Sequence, residues 1–310
     1  MVDLLTNEFH GDIRTWSAPR WSTFDLIAAK RGRRVSVVLP ALNEEATVGH
    51  VVRAVRRLPG GLVDELIVMD SGSSDATMLV AAAAGATVIT RESVLPDYPP
   101  VPGKGEVLWR SLAATSGDII MFMDSDLLDP DPQFVPKLIG PLLLEESIVF
   151  SKAYYRRPLT VGKTIDASGG GRVTELVARP LLAALRPGLR HVVQPLGGEY
   201  AATREVLEGL RFASHYGVEI GLLIDVHDTY GAAAIGQVDL GVRKHRNRPL
   251  HELGVMSRQI IATALERCGL PDSGEGIIQF PLGPEGFVPH EAALNTHHRP
   301  AMSSLLQIAS

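Results

Sequence analysis

The sequence predicts an α/β protein: a Rossmann-like, mostly parallel sheet flanked by helices, with a helical extension at the C-terminal end. Three observations carry this. Strand-like and helix-like segments alternate from Arg34 to Asp126. Each strand runs into a polar turn, and such an order gives parallel strands with helices on both faces. Of the 310 residues, 45% are hydrophobic and 21% charged, enough to bury a sizeable core.

Residues 1–30 carry weak pattern, with Trp16 and Trp21 flanking Pro19 and a short helix expected over Phe24–Lys30. This segment reads as an arm that packs onto the body. Val35–Leu39 is apolar, β-branched and stopped by Pro40, as in a buried strand. Asn43 then suits the N-cap of a helix over Glu44–Arg57, with Glu44 and Glu45 in its first turn favoured by the helix dipole. Glu65–Met69 is a second strand, Asp70–Asp75 a polar loop, Ala76–Ala84 a helix and Thr87–Ile89 a third strand. A proline-rich loop spans Arg91–Pro102. A helix over Gly103–Thr115 and a fourth strand over Asp118–Met123 follow.

The second half is less regular. A strand is expected over Glu146–Lys152 and a glycine turn at Gly169–Gly171. Helices are expected over Arg172–Arg186, Glu199–Leu207, Val218–Tyr230 and His251–Arg267, a strand over Ala234–Arg243, and loops beyond Pro271. The organisation expected is an arm (1–30), a nucleotide-binding half (31–152), an acceptor-binding half (153–250) and a C-terminal helix with tail (251–310).

The charge balance excludes some classes. With 30 basic and 35 acidic residues the net charge is −5, so no global footprint for nucleic acid is present. Cys268 is the single cysteine, which rules out a disulfide framework and points to a reducing compartment. No apolar run reaches the ~18 residues of a membrane span. Met1–Arg20 lacks the pattern of a signal peptide. A cytoplasmic protein is expected.

Ligands of parallel sheets bind beyond the carboxyl ends of the strands. Asn43, Asp70 and Asp124 all fall there. Asp124-Ser125-Asp126 closes the apolar strand Ile119–Met123. Alternation along an extended segment points both carboxylates one way, and two hard oxygen donors suit Mg²⁺ or Mn²⁺ bridging phosphates. The competing reading is a solvated helix cap. Pro40-Ala41-Leu42-Asn43-Glu44 forms a turn able to grip a base or ribose, or a plain cap. Asp70-Ser71-Gly72-Ser73 has small residues that allow close approach of backbone, or caps a helix. Neither G-x-G-x-x-G nor G-x-x-x-x-G-K-[ST] follows the first strand, which disfavours a dinucleotide site and a P-loop.

Further along, Lys104 between two glycines can reach a phosphate. Gly171-Arg172-Val173-Thr174 pairs a helix start with an arginine, a site for phosphate or carboxylate. Glu219 opens an apolar helix, as an orienting or acid/base carboxylate or as a first-turn partner of the dipole. Val242–Arg248 gathers four basic residues around His245, a candidate metal ligand or anion contact, or a solvated loop. Lys152, Tyr154, Tyr155, Arg156 and Arg157 form a second basic-aromatic group suited to a small anionic substrate.

Together, Val37–Glu45, Asp70–Ser73, Pro102–Glu106, Leu108–Thr115, Asp124–Asp126, Gly169–Pro180 and His245–Leu250 resemble a family: the actinobacterial glucosyl-3-phosphoglycerate synthases, family 2-type glycosyltransferases of the GT-A fold. The likeness spans roughly residues 20–280. It implies retaining transfer of glucose from UDP-glucose to the 2-hydroxyl of 3-phosphoglycerate, giving glucosyl-3-phosphoglycerate, a precursor of glucosylglycerate and of methylglucose polysaccharides. By position, the resemblance assigns Pro40, Ala41, Leu42, Asn43, Glu44, Ser71, Lys104, Ser125 and Asp126 to the nucleotide sugar, beside Asp70 and Asp124 from the strand-end reading. It assigns Asp126 and His245 to Mg²⁺ or Mn²⁺. Gly171, Arg172, Thr174 and Asn247, with Val173 between them, fall to the acceptor, and Glu219 to the reacting centre. A homodimer is implied as well. Competing readings are a GT-A transferase using GDP-mannose or glycerate, a nucleotidyltransferase, and a sugar-nucleotide binding module.

Overall fold

A computed structural model describes residues 7–161, 164–166, 170–243 and 249–306. The first half contains β1 (Asn7–His10), β2 (Ile13–Trp16), α1 (Thr23–Ala29), β3 (Val35–Ala41), α2 (Val48–Arg56), β4 (Glu65–Asp70), α3 (Thr77–Ala83), β5 (Thr87–Thr90), α4 (Lys104–Ala114), β6 (Ile119–Phe122), α5 (Phe134–Leu144) and β7 (Phe150–Arg156). The second holds a small hairpin, β8 (Leu159–Val161) and β9 (Thr164–Asp166), then α6 (Arg179–Leu185), β10 (Tyr200–Thr203), α7 (Arg204–Gly209), β11 (Phe212–Ala213), α8 (Val218–Tyr230), β12 (Ile235–Val242) and α9 (Leu250–Arg267). The tail adds β13 (Ile277–Gln279), β14 (Leu282–Gly283), β15 (Gly286–Phe287), β16 (His290–Ala292), β17 (His298–Arg299) and α10 (Met302–Leu306).

The main sheet has nine strands in the order β1-β2-β12-β7-β10-β6-β3-β4-β5. Pairings β2–β12–β7 and β6–β3–β4–β5 are parallel, whereas β10 runs antiparallel to both β7 and β6 and joins the two parallel sets. Buried side chains alternate along β3. Val38 joins the core beneath α4 and α8, while Val35, Val37 and Leu39 join the core beneath α2 and α5. Helix α2 seals its side with Val48, Val51, Val52 and Val55, spaced one helical turn apart. The N-terminal arm extends the sheet: β2 pairs with β12, and Trp16 meets Trp21 edge-on at 6.0 Å.

Several expectations need correction. Helix α2 starts at Val48 with Thr47 at its N-cap, not at Glu44. Asn43 is left-handed (φ 56°), and its Oδ1 accepts from the Ser74 amide at 2.9 Å, so it ties the β3 turn to the β4 turn instead of capping its own helix. Glu199–Leu207 is not one helix. Tyr200–Thr203 is the central antiparallel strand and only Arg204–Gly209 is helical, because burial on both faces erases the two-residue alternation that would mark a strand. The stretch after Gly171 opens with a π-turn over Thr174–Ala178 before α6, and β7 begins at Phe150 rather than Glu146. The tail pairs into short strands instead of looping, and β17 joins β11. Helix α5 was not anticipated, since Pro136, Gly140 and Pro141 obscure its apolar spacing.

Helix α4 is clamped by the loop before it and by a segment near the C-terminal end of the sequence. Buried Glu106 accepts from Arg110 Nε at 2.6 Å and from Arg299 Nε and Nη2 at 2.6 and 2.8 Å. Arg110 also donates to the carbonyls of Val94 and Tyr98, and Arg299 to that of Pro99 at 2.6 Å, fixing the proline-rich loop. Trp109 Nε1 donates to Pro300 O at 2.8 Å.

Candidate active site

The carboxyl ends of β3, β4 and β6 meet the start of α4 and the start of α8 around one cavity of about 420 Å³. Ser71 N donates to Ala41 O at 2.9 Å and Ser125 Oγ to Pro40 O at 2.6 Å, so the turns after the three strands are locked side by side. Pro40, Ala41, Leu42, Glu44 and Ser71 line this end, with Ser125 and Asp126 beside them. Arg157 and Gly170 to Thr174 line the same cavity. Glu219 and Tyr216 line it as well.

Lys104 stands at the first position of α4. Gly103 before it has φ 119°, and a Cβ there would sit 2.2 Å from Ser214 O, so only glycine delivers the lysine into the cleft. Its Nζ lies 2.5 Å from Asp124 Oδ1 and 2.8 Å from Glu219 Oε1. Burial alone would lower the Lys104 pKa, but these two carboxylates outweigh it and hold the ammonium charged. Burial likewise opposes the Asp124 carboxylate, and Lys104 with Arg243 more than offsets it, holding its pKa far below the usual range.

Arg243 organises the other side. Its Nη2 donates to Asp124 Oδ2 at 2.6 Å and to Asp126 Oδ1 at 3.1 Å, and its Nε to Glu199 Oε1 at 2.8 Å. Glu199 is fully buried and also accepts from the Tyr155 hydroxyl at 2.7 Å. The guanidinium carbons of Arg157 and Arg243 lie 5.5 and 5.6 Å from the centre of the Tyr155 ring.

The structure thus brings together most residues singled out in the sequence: Pro40, Ala41, Leu42, Glu44, Ser71, Lys104, Asp124, Ser125, Asp126, Gly171, Arg172, Val173, Thr174 and Glu219 all line the cavity. Asn43 and Asp70 stand behind it. Asp70 Oδ2 accepts from the amides of Gly72 and Ser73 at 2.8 and 2.9 Å, which shapes the turn presenting Ser71. His245 and Asn247 lie outside the described residues. In the basic-aromatic group, Arg157 faces the cavity, while Lys152 and Tyr155 are buried behind it. Leu196, His215 and the structural role of Glu199 escaped sequence reasoning. The one signal for Glu199 was an acid directly after Gly197-Gly198 in an otherwise apolar run.

The residues present suit a divalent cation held chiefly by diphosphate oxygens. Among the described residues no three His, Cys, Asp or Glu converge as a protein-only metal cage. Asp126 offers a hard carboxylate at the cavity wall. Burial raises its pKa despite Arg243, and Asp124 and Glu199 push the same way, so added positive charge is favoured there. Mg²⁺-type ions commonly take one or two carboxylates and complete their shell with phosphates and water.

Residues 36–168 match the family model described as Glycosyl transferase family 2. The glucosyl-3-phosphoglycerate synthase of Mycolicibacterium smegmatis is 62% identical over 291 residues, 94% of this chain and 96% of that relative. The Mycobacterium tuberculosis protein of the same name is 61% identical over 294 residues, 93% of this chain and 91% of the relative. A crystal structure of the Mycobacterium tuberculosis protein in complex with Mn²⁺, uridine-diphosphate-glucose and phosphoglyceric acid superposes with a TM-score of 0.86 at 58% identity, covering 94% of this chain and 98% of that one.

Proposed function

The chain belongs to the glucosyl-3-phosphoglycerate synthase family, and from that premise we propose that it transfers glucose from UDP-glucose to the 2-hydroxyl of 3-phosphoglycerate, with a divalent metal. The observation that carries this is one cavity lined by two unlike sets of residues. One forms a nucleotide-type cleft at the ends of parallel strands with an acid pair, and the other a cationic subsite around Arg157 and Arg172.

Residues Pro40 to Leu42, Glu44 and Ser71 hold the uridine, with Asn43 and Asp70 fixing the turns from behind. Asp126, with His245, would hold Mg²⁺ or Mn²⁺, which when bound supplies a Lewis acid at the diphosphate. Arg172 and the start of the helical turn at Thr174, with Asn247, bind the phosphate and carboxylate of the acceptor. Lys104 and Arg243 carry fixed positive charge beside the departing diphosphate, where negative charge develops as the bond from anomeric carbon to phosphate oxygen breaks. Glu219, held against Lys104, orients the glucose hydroxyls at the reacting centre.

The transfer retains configuration. The acceptor oxygen attacks the anomeric carbon from the face that UDP leaves, and the hydroxyl proton passes to the departing phosphate oxygen. The enzyme acts in the cytoplasm as a homodimer. Exposed Ile278, Phe280, Leu282 and Phe287 on the tail support the dimer reading. Incubation with UDP-glucose, MgCl₂ and 3-phosphoglycerate tests the function through UDP release, each component being omitted in turn. Release that requires all three supports it. Turnover only with GDP-mannose or with glycerate overturns the substrate assignment.

A further inference from the structure

Lys152 is 1% exposed and lies outside the cavity lining. Its Nζ donates to the carbonyl of Gly197 at 2.7 Å and sits 4.9 Å from the centre of the Tyr200 ring. A buried ammonium is unfavourable unless well partnered, and a methionine of similar length would fill the same space without a charge. What the lysine holds is the turn entering β10. The next residue, Gly198, lies directly against the Lys104–Asp124 pair: a Cβ there would fall 2.4 Å from either Asp124 carboxylate oxygen and 2.5 Å from Lys104 Nζ. The far side of the turn is fixed by Tyr200, whose ring lies 5.2 Å from that of Phe122 and 5.4 Å from that of Phe150.

We propose that Lys152 is a positioning residue: through the Gly197 carbonyl it holds Gly198 against the Lys104–Asp124 pair, and so keeps the Lys104 ammonium between Asp124 and Glu219. The backbone of Gly198 acts as a stop behind the pair, and Lys152 fixes the stop. Around its ammonium are the charges of Glu219, Lys104, Glu199 and Asp124. Burial pushes its pKa down to about 8 against the pull of Glu219.

The inference rests on the glucosyl-transfer reading, so the test assays wild type and variants together. In Lys152→Met, kcat at pH 7 is expected to fall at least about ten-fold, with KM for UDP-glucose within two-fold of wild type, since small misplacements of reacting groups act on turnover. A neutral lysine still donates to the Gly197 carbonyl and methionine cannot, so the loss should persist from pH 7 to 9. Gly198→Ala should lower kcat while UDP still binds. Equal turnover by wild type and Lys152→Met at pH 7 overturns the proposal. A wild type that releases no UDP overturns the functional reading instead. The crystal structure of Lys152→Met then decides the positioning role: Gly198 withdrawn from Asp124 supports it, and an unmoved turn overturns it.

Discussion

Glu199 and Arg243 form a buried ion pair, Nε to Oε1 at 2.8 Å, from which Arg243 reaches forward to both aspartates of the cleft. The acid contributes no surface to the cavity, yet it balances a guanidinium that reaches Asp124 and Asp126 at the site. Its loss leaves that charge buried and undercompensated.

Replacing Glu199 with Ala is therefore expected to destabilise the fold by about 3–5 kcal/mol, the range seen when one partner of a buried pair is removed. Denaturant unfolding measures this. A loss below 1 kcal/mol would show that Asp124 and Asp126 alone suffice for Arg243.

Asp126→Asn keeps the shape of the site but removes the hard anionic donor. UDP release at low Mg²⁺ should fall by ~100-fold or more and recover in part as the ion is raised. Chelation of the metal should silence the wild type reversibly. Activity that survives both treatments would place the metal elsewhere.

Arg172→Ala should raise KM for 3-phosphoglycerate by about 10- to 100-fold, as expected for a lost charged hydrogen bond of ~1.5–3 kcal/mol. KM for UDP-glucose should stay unchanged, because Arg172 is assigned to the acceptor and not to the nucleotide sugar. Arg172→Lys restores charge but not a bidentate grip, so its rescue should be incomplete.

Lys152 also makes stability depend on pH. Its folded pKa is lowered from 10.5 to about 8. Below pH 8 both folded and unfolded chains are protonated, and the burial penalty is present in full. Between about 8 and 10.5 the folded chain binds fewer protons, so this group raises stability with pH, by at most on the order of 3 kcal/mol. Lys152→Met removes the term. Wild type should therefore gain on the variant as pH rises from 7 to 10 in paired thermal melts. A constant gap between the two melts would refute this.

Much of the site was legible in the sequence because strand ends in a parallel sheet are also ligand sites. The order from Val35 to Phe122 puts Asn43, Asp70 and Asp124 at one edge, beside the cavity-lining Leu42, Ser71 and Asp126. Other parts were hidden for identifiable reasons. Tyr200-Ala201-Ala202 forms the central antiparallel strand, but two-sided burial removed its alternation and its alanines favoured a helical reading. Proline and glycine masked α5. Arg243 looked like part of a solvated basic run, whereas it is 2% exposed, because its acidic partner Glu199 is 44 residues away and no local pattern joins them.

The clamp on α4 bears on when the enzyme becomes competent during its own synthesis. Glu106 and Arg299 are 193 residues apart, and the helix they secure carries Lys104 into the cleft. Pairing of β2 with β12 likewise waits for residues more than two-thirds of the way along the chain. Contacts of such separation form late. A ribosome still translating residue 290 therefore holds a nascent chain with both ligand-binding regions already made, but with Glu106 lacking Arg299 and the α4 helix unsecured. Stalling or truncation there should yield a nearly full-length product that chaperones and proteases treat as unfinished.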